Sequence, residues 1–117
     1  MIKHTFNLVT LTVLFLLGPV AWADDAAEEI DFLLSAIGTS DCVFIRNGSR
    51  HNAKEAEEHL RMKYRRGKRY APTAEMFIER LASQSSMSKK LYYIECGNEE
   101  KVPSGDWLSQ RLQEYRH

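Results

Sequence analysis

Three polar side chains at intervals of four residues are the first candidates for chemistry in this sequence: His51, Glu55 and His59. Imidazole and carboxylate groups together are common metal ligands. On a single helix, however, the two histidines would lie about 12 Å apart along the axis, too far to share one ion. We therefore predict no metal site. A polar ligand-binding site remains open, and so does a structural role in which Glu55 is the capping partner of Asn52.

An arginine beside a glycine-containing turn adds to this segment. Arg46 precedes Asn47-Gly48, and its planar guanidinium can hold a carboxylate or a phosphate together with nearby backbone donors. The alternative is that Arg46 fixes the turn by donating to local carbonyl groups. We predict a candidate binding site formed by Arg46, Asn47, His51, Glu55, His59 and Lys63.

Catalysis would need a nucleophile, a base and a polarised site within hydrogen-bond reach. Four serines between positions 83 and 88 could supply a hydroxyl to His51 or His59, but serines beyond a helix end usually form caps and turns. The sequence has no G-x-S-x-G motif, and its six glycines are scattered singly. We therefore predict no catalytic residue and no cofactor. A small hydrolase or metal-dependent enzyme that uses His51, Glu55 and His59 is the alternative function.

A run of basic residues between positions 61 and 69 is the strongest local charge feature. Such a run can contact anionic envelope components, such as phosphate-bearing lipid head groups or wall polymers. The alternative is a solvated face, because cations near a helix C-terminus complement its dipole and an acidic helix could lie nearby. The candidate anionic-surface patch consists of Arg61, Arg65, Arg66, Lys68 and Arg69.

The N-terminus has the pattern of an export signal. Lys3 and His4 precede an apolar stretch over 6–17, and the small-residue motif Ala21-Trp22-Ala23 follows. The apolar stretch is too short for a spanning helix, which needs about 20 residues. We predict a signal peptide over 1–23 that is cleaved near Ala23. No segment of the mature chain is apolar enough to span a membrane.

Removing the first 23 of the 117 residues leaves 94, enough for a single small domain over 24–117. The whole chain has 16 Lys and Arg against 16 Asp and Glu, so its net charge indicates no partner. Apolar and capping patterns predict helices over 26–37, from Asn52 to about 66, after Thr73, and after Pro103. Two β-prone runs, 42–45 and 91–94, predict strands, and a third short strand could lie around 100–102.

The only two cysteines bear on how these strands pair. An oxidising compartment favours a disulfide between Cys42 and Cys96, which would close a loop of about 55 residues and contribute about 4 kcal/mol. Parallel strands would hold the two sulfurs more than about 10 Å apart, so we predict antiparallel pairing. The expected neighbours are Cys42 with Cys96, Phe44 with Ile94 and Arg46 with Tyr92. The predicted fold class is α+β, a mostly helical single domain with four helices packed on a short two-stranded antiparallel sheet and one disulfide.

A series of short motifs over most of the mature chain is specific in combination: Arg46-Asn47-Gly48, His51, Glu55-Ala56, His59-Leu60, Lys63, Thr73-Ala74-Glu75, Phe77-Ile78, Ala82-Ser83 and Ser85-Ser86. With these motifs the chain resembles the YfeK-like family, small bacterial envelope proteins grouped under a domain of unknown function. The resemblance implies a periplasmic protein, but no activity, substrate or catalytic residue. It also implies a glycine after Ser88 and a proline near Leu91, where this chain has Lys89 and no proline.

We therefore predict an exported protein, located in the periplasm or secreted, that acts through binding rather than turnover. Its partner is not identified by the sequence; an envelope protein and an anionic envelope component are the candidates. Nucleic acid is not expected in that compartment. A structural envelope protein without a discrete site is a further alternative.

Overall fold

The structure is a computed structural model that describes residues 22–117, with side chains described from Asp25 onward. The predicted signal peptide lies outside the described residues except for its last two positions, so its cleavage stays a prediction. The elements are α1 Trp22–Gly38, β1 Val43–Arg46, β2 Ser49–His51, α2 Ala53–Gly67, α3 Ala74–Phe77, β3 Tyr93–Glu95, β4 Val102–Pro103 and α4 Ser104–Arg116. A 3-10 turn, Lys68–Tyr70, follows α2, and a π-helical segment, Ile78–Ala82, continues α3.

The sheet has four strands in the order β2-β1-β3-β4, all antiparallel, so the prediction of a two-stranded sheet was wrong. The missed strand β2 follows a two-residue turn in which Asn47 and Gly48 both have positive φ, 51° and 81°. That backbone matches the twist of a tight hairpin, and Asn-Gly is the sequence that favours it. The short strand β4 lies beside the stretch around 100–102 where a third strand was considered.

The predicted disulfide and strand register are present. Cys42 and Cys96 are bonded, with their Cα atoms 4.4 Å apart. Phe44 pairs with Ile94 across β1 and β3, as predicted. Continuing this antiparallel register by two residues brings Arg46 opposite Tyr92. The class is therefore α+β and mostly helical, with one disulfide.

Local capping explains where α2 and α3 begin. Asn52 and Glu55 form the reciprocal capping box: the side chain of Asn52 accepts from the backbone N–H of Glu55 at 2.8 Å, and the Glu55 carboxylate accepts from the Asn52 N–H at 3.1 Å. Thr73 caps α3 by accepting from the N–H of Met76. The first helix, α1, begins at Trp22, four residues before the predicted start.

Serine hydroxyls stabilise the π-helical segment, which the sequence did not predict. A π-turn leaves carbonyl groups without their usual partners. Ser83 Oγ donates to the Ile78 carbonyl and the buried Ser104 Oγ donates to the Ala82 carbonyl, each at 2.6 Å. The backbone N–H of Ser104 also donates to the Tyr92 carbonyl. These bonds join the segment to the start of α4 and to the chain leading into β3.

The helices cover one face of the sheet and enclose the core. Its fully buried large side chains come from all four helices and from the inner face of the sheet: Ile30, Leu33, Leu34, Ile37, Leu60, Phe77, Tyr92, Ile94 and Leu108. Residues 43, 45, 93 and 95 alternate with this inner set and are only partly buried. Among the described helices, none is both long and apolar enough to cross a membrane.

Candidate functional site

The inner face of the sheet carries polar side chains where β1 and β2 meet α2. Side chains alternate between the faces of a strand, so Arg46 shares the helix-covered face with the buried Phe44. His51 is the cross-strand partner of Phe44 and lies on the same face. Opposite them, α2 presents His59 and Lys63, one helical turn apart. We call Arg46, His51, His59, Lys63 and Tyr92 the cationic cluster.

Arg46 lies between the two histidines. Its Nη1 is 2.8 Å from both ring nitrogens of His59, and its Nη2 is 3.5 Å from Nε2 of His51. A guanidinium can only donate, so it needs an unprotonated ring nitrogen as acceptor. Burial, followed by the charges of Arg46, Lys63 and His51, lowers the pKa of His59 to about 4. At neutral pH this imidazole is therefore neutral and accepts from Arg46.

Lys63 occupies the other side of the cluster, half-buried. Its Nζ donates to the Tyr92 hydroxyl at 3.1 Å and to the Gln84 carbonyl at 3.2 Å, and it lies 5.0 Å from the centre of the Tyr92 ring. Burial, with the charges of Arg46 and Lys89, lowers the pKa of Lys63 to about 8. Burial also raises the pKa of the Tyr92 hydroxyl. The Lys63 ammonium therefore meets neutral oxygens and like charges.

Carboxylates do not balance the two cations of the cluster. Across residues 22–117, every ion pair involves side chains other than Arg46 and Lys63. Glu55, at the edge of the cluster, lies 3.9 Å from Nδ1 of His51, but its side chain is 58% exposed and the same oxygen accepts the capping bond from Asn52. A bound anion could therefore supply the counter-charge that Arg46 and Lys63 lack among the described residues.

Four of the six predicted binding residues come together in the structure. It brings Arg46, His51, His59 and Lys63 together in the cationic cluster. Glu55 lies at its edge in the predicted capping role. Asn47 is exposed at the hairpin turn, where its Oδ1 accepts from Ser88 Oγ at 2.7 Å. His51 belongs to β2 and not to a helix, which explains how the two histidines can approach the same guanidinium.

The predicted anionic-surface patch is also divided. Arg61 donates to Glu57 and to Asp31 at 2.9 Å each, so it joins α2 to the acidic α1. The other four cations, Arg65, Arg66, Lys68 and Arg69, are exposed at the end of α2 and in the 3-10 turn. Arg69 lies over the Tyr70 ring, with its guanidinium carbon 4.8 Å from the ring centre.

Three of the serines that could supply a hydroxyl to a histidine take structural roles instead. In the described part of the chain, the hydroxyls of Ser83, Ser85 and Ser88 bond backbone groups or Asn47, and none bonds a histidine. Ser85 is buried, and its Oγ accepts from the N–H groups of residues 87 and 88, which closes a turn. Within residues 22–117, no three His, Cys, Asp or Glu side chains come together as metal ligands.

Two cavities adjoin each other at Tyr70, and Lys63 lines the smaller one. One of about 270 Å³ is lined by Lys63, Arg66, Tyr70 and neighbouring residues of α2. The other, of about 530 Å³, is lined by Gln84 and Lys89 and also by Glu79 and Arg80. The cavities share Tyr70, Leu81 and Ser86. We call this pair of cavities the α2 groove.

Sequence reasoning did not assign Tyr92, Gln84 or Lys89 to the site. For Tyr92 the signal was present, since the predicted register places it opposite Arg46 on the inner face. Gln84 contributes a backbone carbonyl, which no side-chain pattern reveals. Lys89 stood out only as the residue where the family resemblance implies a glycine, and its φ of 64° agrees with that expectation.

The fold and the site together define a small disulfide-bonded α+β domain with a cationic cluster between sheet and helix, in which Arg46 and Lys63 have no carboxylate partner among the described residues. The chain belongs to a family of unknown function (DUF5329), whose sequence profile matches residues 24–116. It is 40% identical over 90 residues to "Uncharacterized protein YfeK" of Salmonella typhimurium strain LT2, and this match covers 74% of the chain and 75% of that protein. These findings confirm the resemblance to YfeK-like proteins. No solved structure gives a significant match.

Proposed function

We propose that this domain is an exported, non-catalytic binding module whose cationic cluster holds an anionic group of its ligand. Export is supported by the leader pattern of the sequence and by the Cys42–Cys96 disulfide, because such bonds persist in oxidising compartments. The periplasm is the expected location in a bacterium. The ligand would come from an envelope protein or from an anionic envelope component.

One observation carries the assignment of the site: Arg46 and Lys63 are partly buried, face each other across neutral groups and have no carboxylate partner among the described residues. A purely structural arginine in such a place is usually bonded to carboxylates or carbonyls. Here its side chain contacts two imidazoles, which leaves donor capacity on the guanidinium. The geometry therefore favours an oxyanion as the third partner.

Anion binding can be measured directly on the oxidised protein. We expect phosphate or sulfate to raise the unfolding temperature more than chloride does at equal ionic strength, and to shift the NMR signals of the His59 ring. Arg46→Gln and Lys63→Gln should each weaken this effect, because each removes one donor. Lys54→Gln is the matched control, since Lys54 lies on the same helix with its side chain 73% exposed.

Equal responses of the wild type, Arg46→Gln and Lys63→Gln to phosphate would refute the proposed site. A stabilisation that depends only on ionic strength, whatever the anion, would refute it as well. Far-ultraviolet circular dichroism and near-ultraviolet spectra of each variant would show that the fold is retained.

A further inference from the structure

The α2 groove continues from the cationic cluster through Lys63 and has a mixed character. Its floor is apolar, with Leu81 and the ring of Tyr70, which is 49% exposed. Its walls carry Arg66 on α2 and Lys89 on the loop before β3, and the larger cavity is also lined by the oppositely charged pair Glu79 and Arg80. Neither Arg66 nor Lys89 forms an ion pair with a described residue. A ligand that fits this groove would combine negative charge with an apolar part.

Lys89 is held in an unusual backbone conformation at this place. Its φ of 64° lies in the left-handed region, which costs a residue with a side chain about 1–2 kcal/mol. The surrounding turn holds it there: the Lys89 N–H donates to the Ser85 carbonyl at 3.0 Å, and the Ser85 N–H donates to the Lys90 carbonyl at 2.9 Å. Strain of this kind often marks a functional position. Here it places the cation of Lys89 in the wall of the α2 groove, which Lys63 and Arg66 also line.

Resting on the proposed function, we propose that the ligand is an organic phosphate: its phosphate lies at Lys63, which the cationic cluster shares with the α2 groove, Arg66 and Lys89 supply further positive charge, and its organic part packs on Tyr70 and Leu81. A phosphate monoester carries close to two negative charges at neutral pH and offers three acceptor oxygens. A carboxylate has one charge and two oxygens, which matches a groove lined by several cations less well. The exposed Tyr70 ring can pack against a ring or chain attached to the phosphate.

The phosphate could belong to a soluble ester or to a lipid head group, because both present the same chemistry. Phenyl phosphate is a suitable soluble probe, and benzoate and inorganic phosphate are its two controls. Titration calorimetry on the oxidised protein should show phenyl phosphate binding about three- to tenfold more tightly than either control. Vesicles of phosphatidylglycerol, compared with phosphatidylcholine, test the lipid source.

Charge variants of the groove provide the decisive comparison. Lys89→Gln and Arg66→Gln should each weaken phenyl phosphate binding about three- to tenfold, since each removes one cation from the phosphate. Lys89→Gly should lose as much affinity as Lys89→Gln, which would show that the charge matters and not the backbone. Lys54→Gln should bind as the wild type does.

The outcomes separate this inference from the proposed function. If Arg46→Gln and Lys63→Gln weaken binding while Lys89→Gln and Arg66→Gln do not, the proposed site stands and the organic phosphate in the groove is refuted. Equal affinity for benzoate and phenyl phosphate would also refute it. Vesicle binding that phenyl phosphate displaces would support the lipid source, and binding of the soluble ester alone would support the soluble one. Binding of neither probe would overturn the inference.

Discussion

The low pKa of His59 predicts a specific dependence of stability on pH. In the folded protein, burial and the neighbouring cations lower this pKa from 6.5 to about 4. The unfolded chain, in contrast, should protonate its imidazole near 6.5. Between these two values the unfolded state binds a proton that the folded state does not, so the free energy of unfolding decreases as the pH falls from 6.5 to about 4.

The magnitude follows from the same two pKa values. At about 1.4 kcal/mol per pKa unit, a fully buried ring would contribute about 3 kcal/mol to this decrease. His59 is only half-buried, and solvent screens part of its charge. We therefore expect the His59 contribution to be about 1–2 kcal/mol across this pH range.

Urea unfolding of the oxidised protein at pH values between 4 and 7.5 measures this decrease. His59→Gln removes the titrating ring, so its stability should fall about 1–2 kcal/mol less than that of the wild type between pH 6.5 and 4. His51→Gln is the matched control, because it changes the other imidazole beside Arg46 and retains His59. The carboxylates of the chain titrate in all three proteins, and their effect cancels in the comparison.

Parallel pH profiles of the wild type and His59→Gln would contradict the reasoning. A second measurement checks it independently: the NMR signal of the His59 ring should titrate with a midpoint near 4. A midpoint near 6.5 would mean that the ring is neither desolvated nor held beside Arg46 and Lys63 in solution.

Three further predictions concern stability. Lys89→Gly should raise the free energy of unfolding by about 0.5–1 kcal/mol, because glycine adopts the left-handed backbone without steric cost, while its larger conformational entropy in the unfolded chain offsets part of this gain. A loss of stability in urea would contradict this prediction. Gly105→Ala should lower the free energy of unfolding by about 1–3 kcal/mol, because the new Cβ would lie 2.6 Å from Ser83 Oγ, and adding Ser83→Ala should recover part of the loss in the same assay. Reduction of the Cys42–Cys96 bond should lower it by about 4 kcal/mol, so a reduced protein with an unchanged urea midpoint would refute the expected contribution of the disulfide.

Local signals made much of the fold predictable from the sequence. Asn52 and Thr73 are polar caps placed directly before apolar helical patterns, and both act as caps in the structure. The strand register followed from a single covalent constraint, because only antiparallel pairing brings Cys42 close to Cys96. Sequence-based inference succeeds where a structural feature is determined by residues close in the chain, as for the helix caps, or by a single covalent bond, as for the strand register.

Strand β2 and the π-helical segment were missed. Strand β2 is three residues long and polar, so its own composition does not indicate a strand; it forms because a tight turn lays it along β1. The π-helical segment requires the hydroxyl of Ser104, 22 residues beyond the carbonyl that it satisfies. The π-helical segment has no local sequence pattern, whereas the local signal for β2 was the Asn47-Gly48 turn before it.

The candidate site was predictable in part. The sequence grouped Arg46 with His51 and His59 because they lie within 13 residues of each other. Their contact, however, requires that α2 pack on the inner face of the sheet. The contact of Lys63 with the Tyr92 hydroxyl spans 29 residues and follows only from the tertiary fold.

The disulfide also decides on which side of the sheet the guanidinium of Arg46 emerges. Strand side chains point alternately up and down, so sliding β1 by a single position would turn this arginine away from α2 and towards water. The sulfur bridge, about 13 Å along the ribbon from Arg46, is compatible with only one alignment. Oxidation during maturation would thus select the correct strand register. A chain in which Cys42 and Cys96 are bonded has the side chain of Arg46 on the same face as the two histidines.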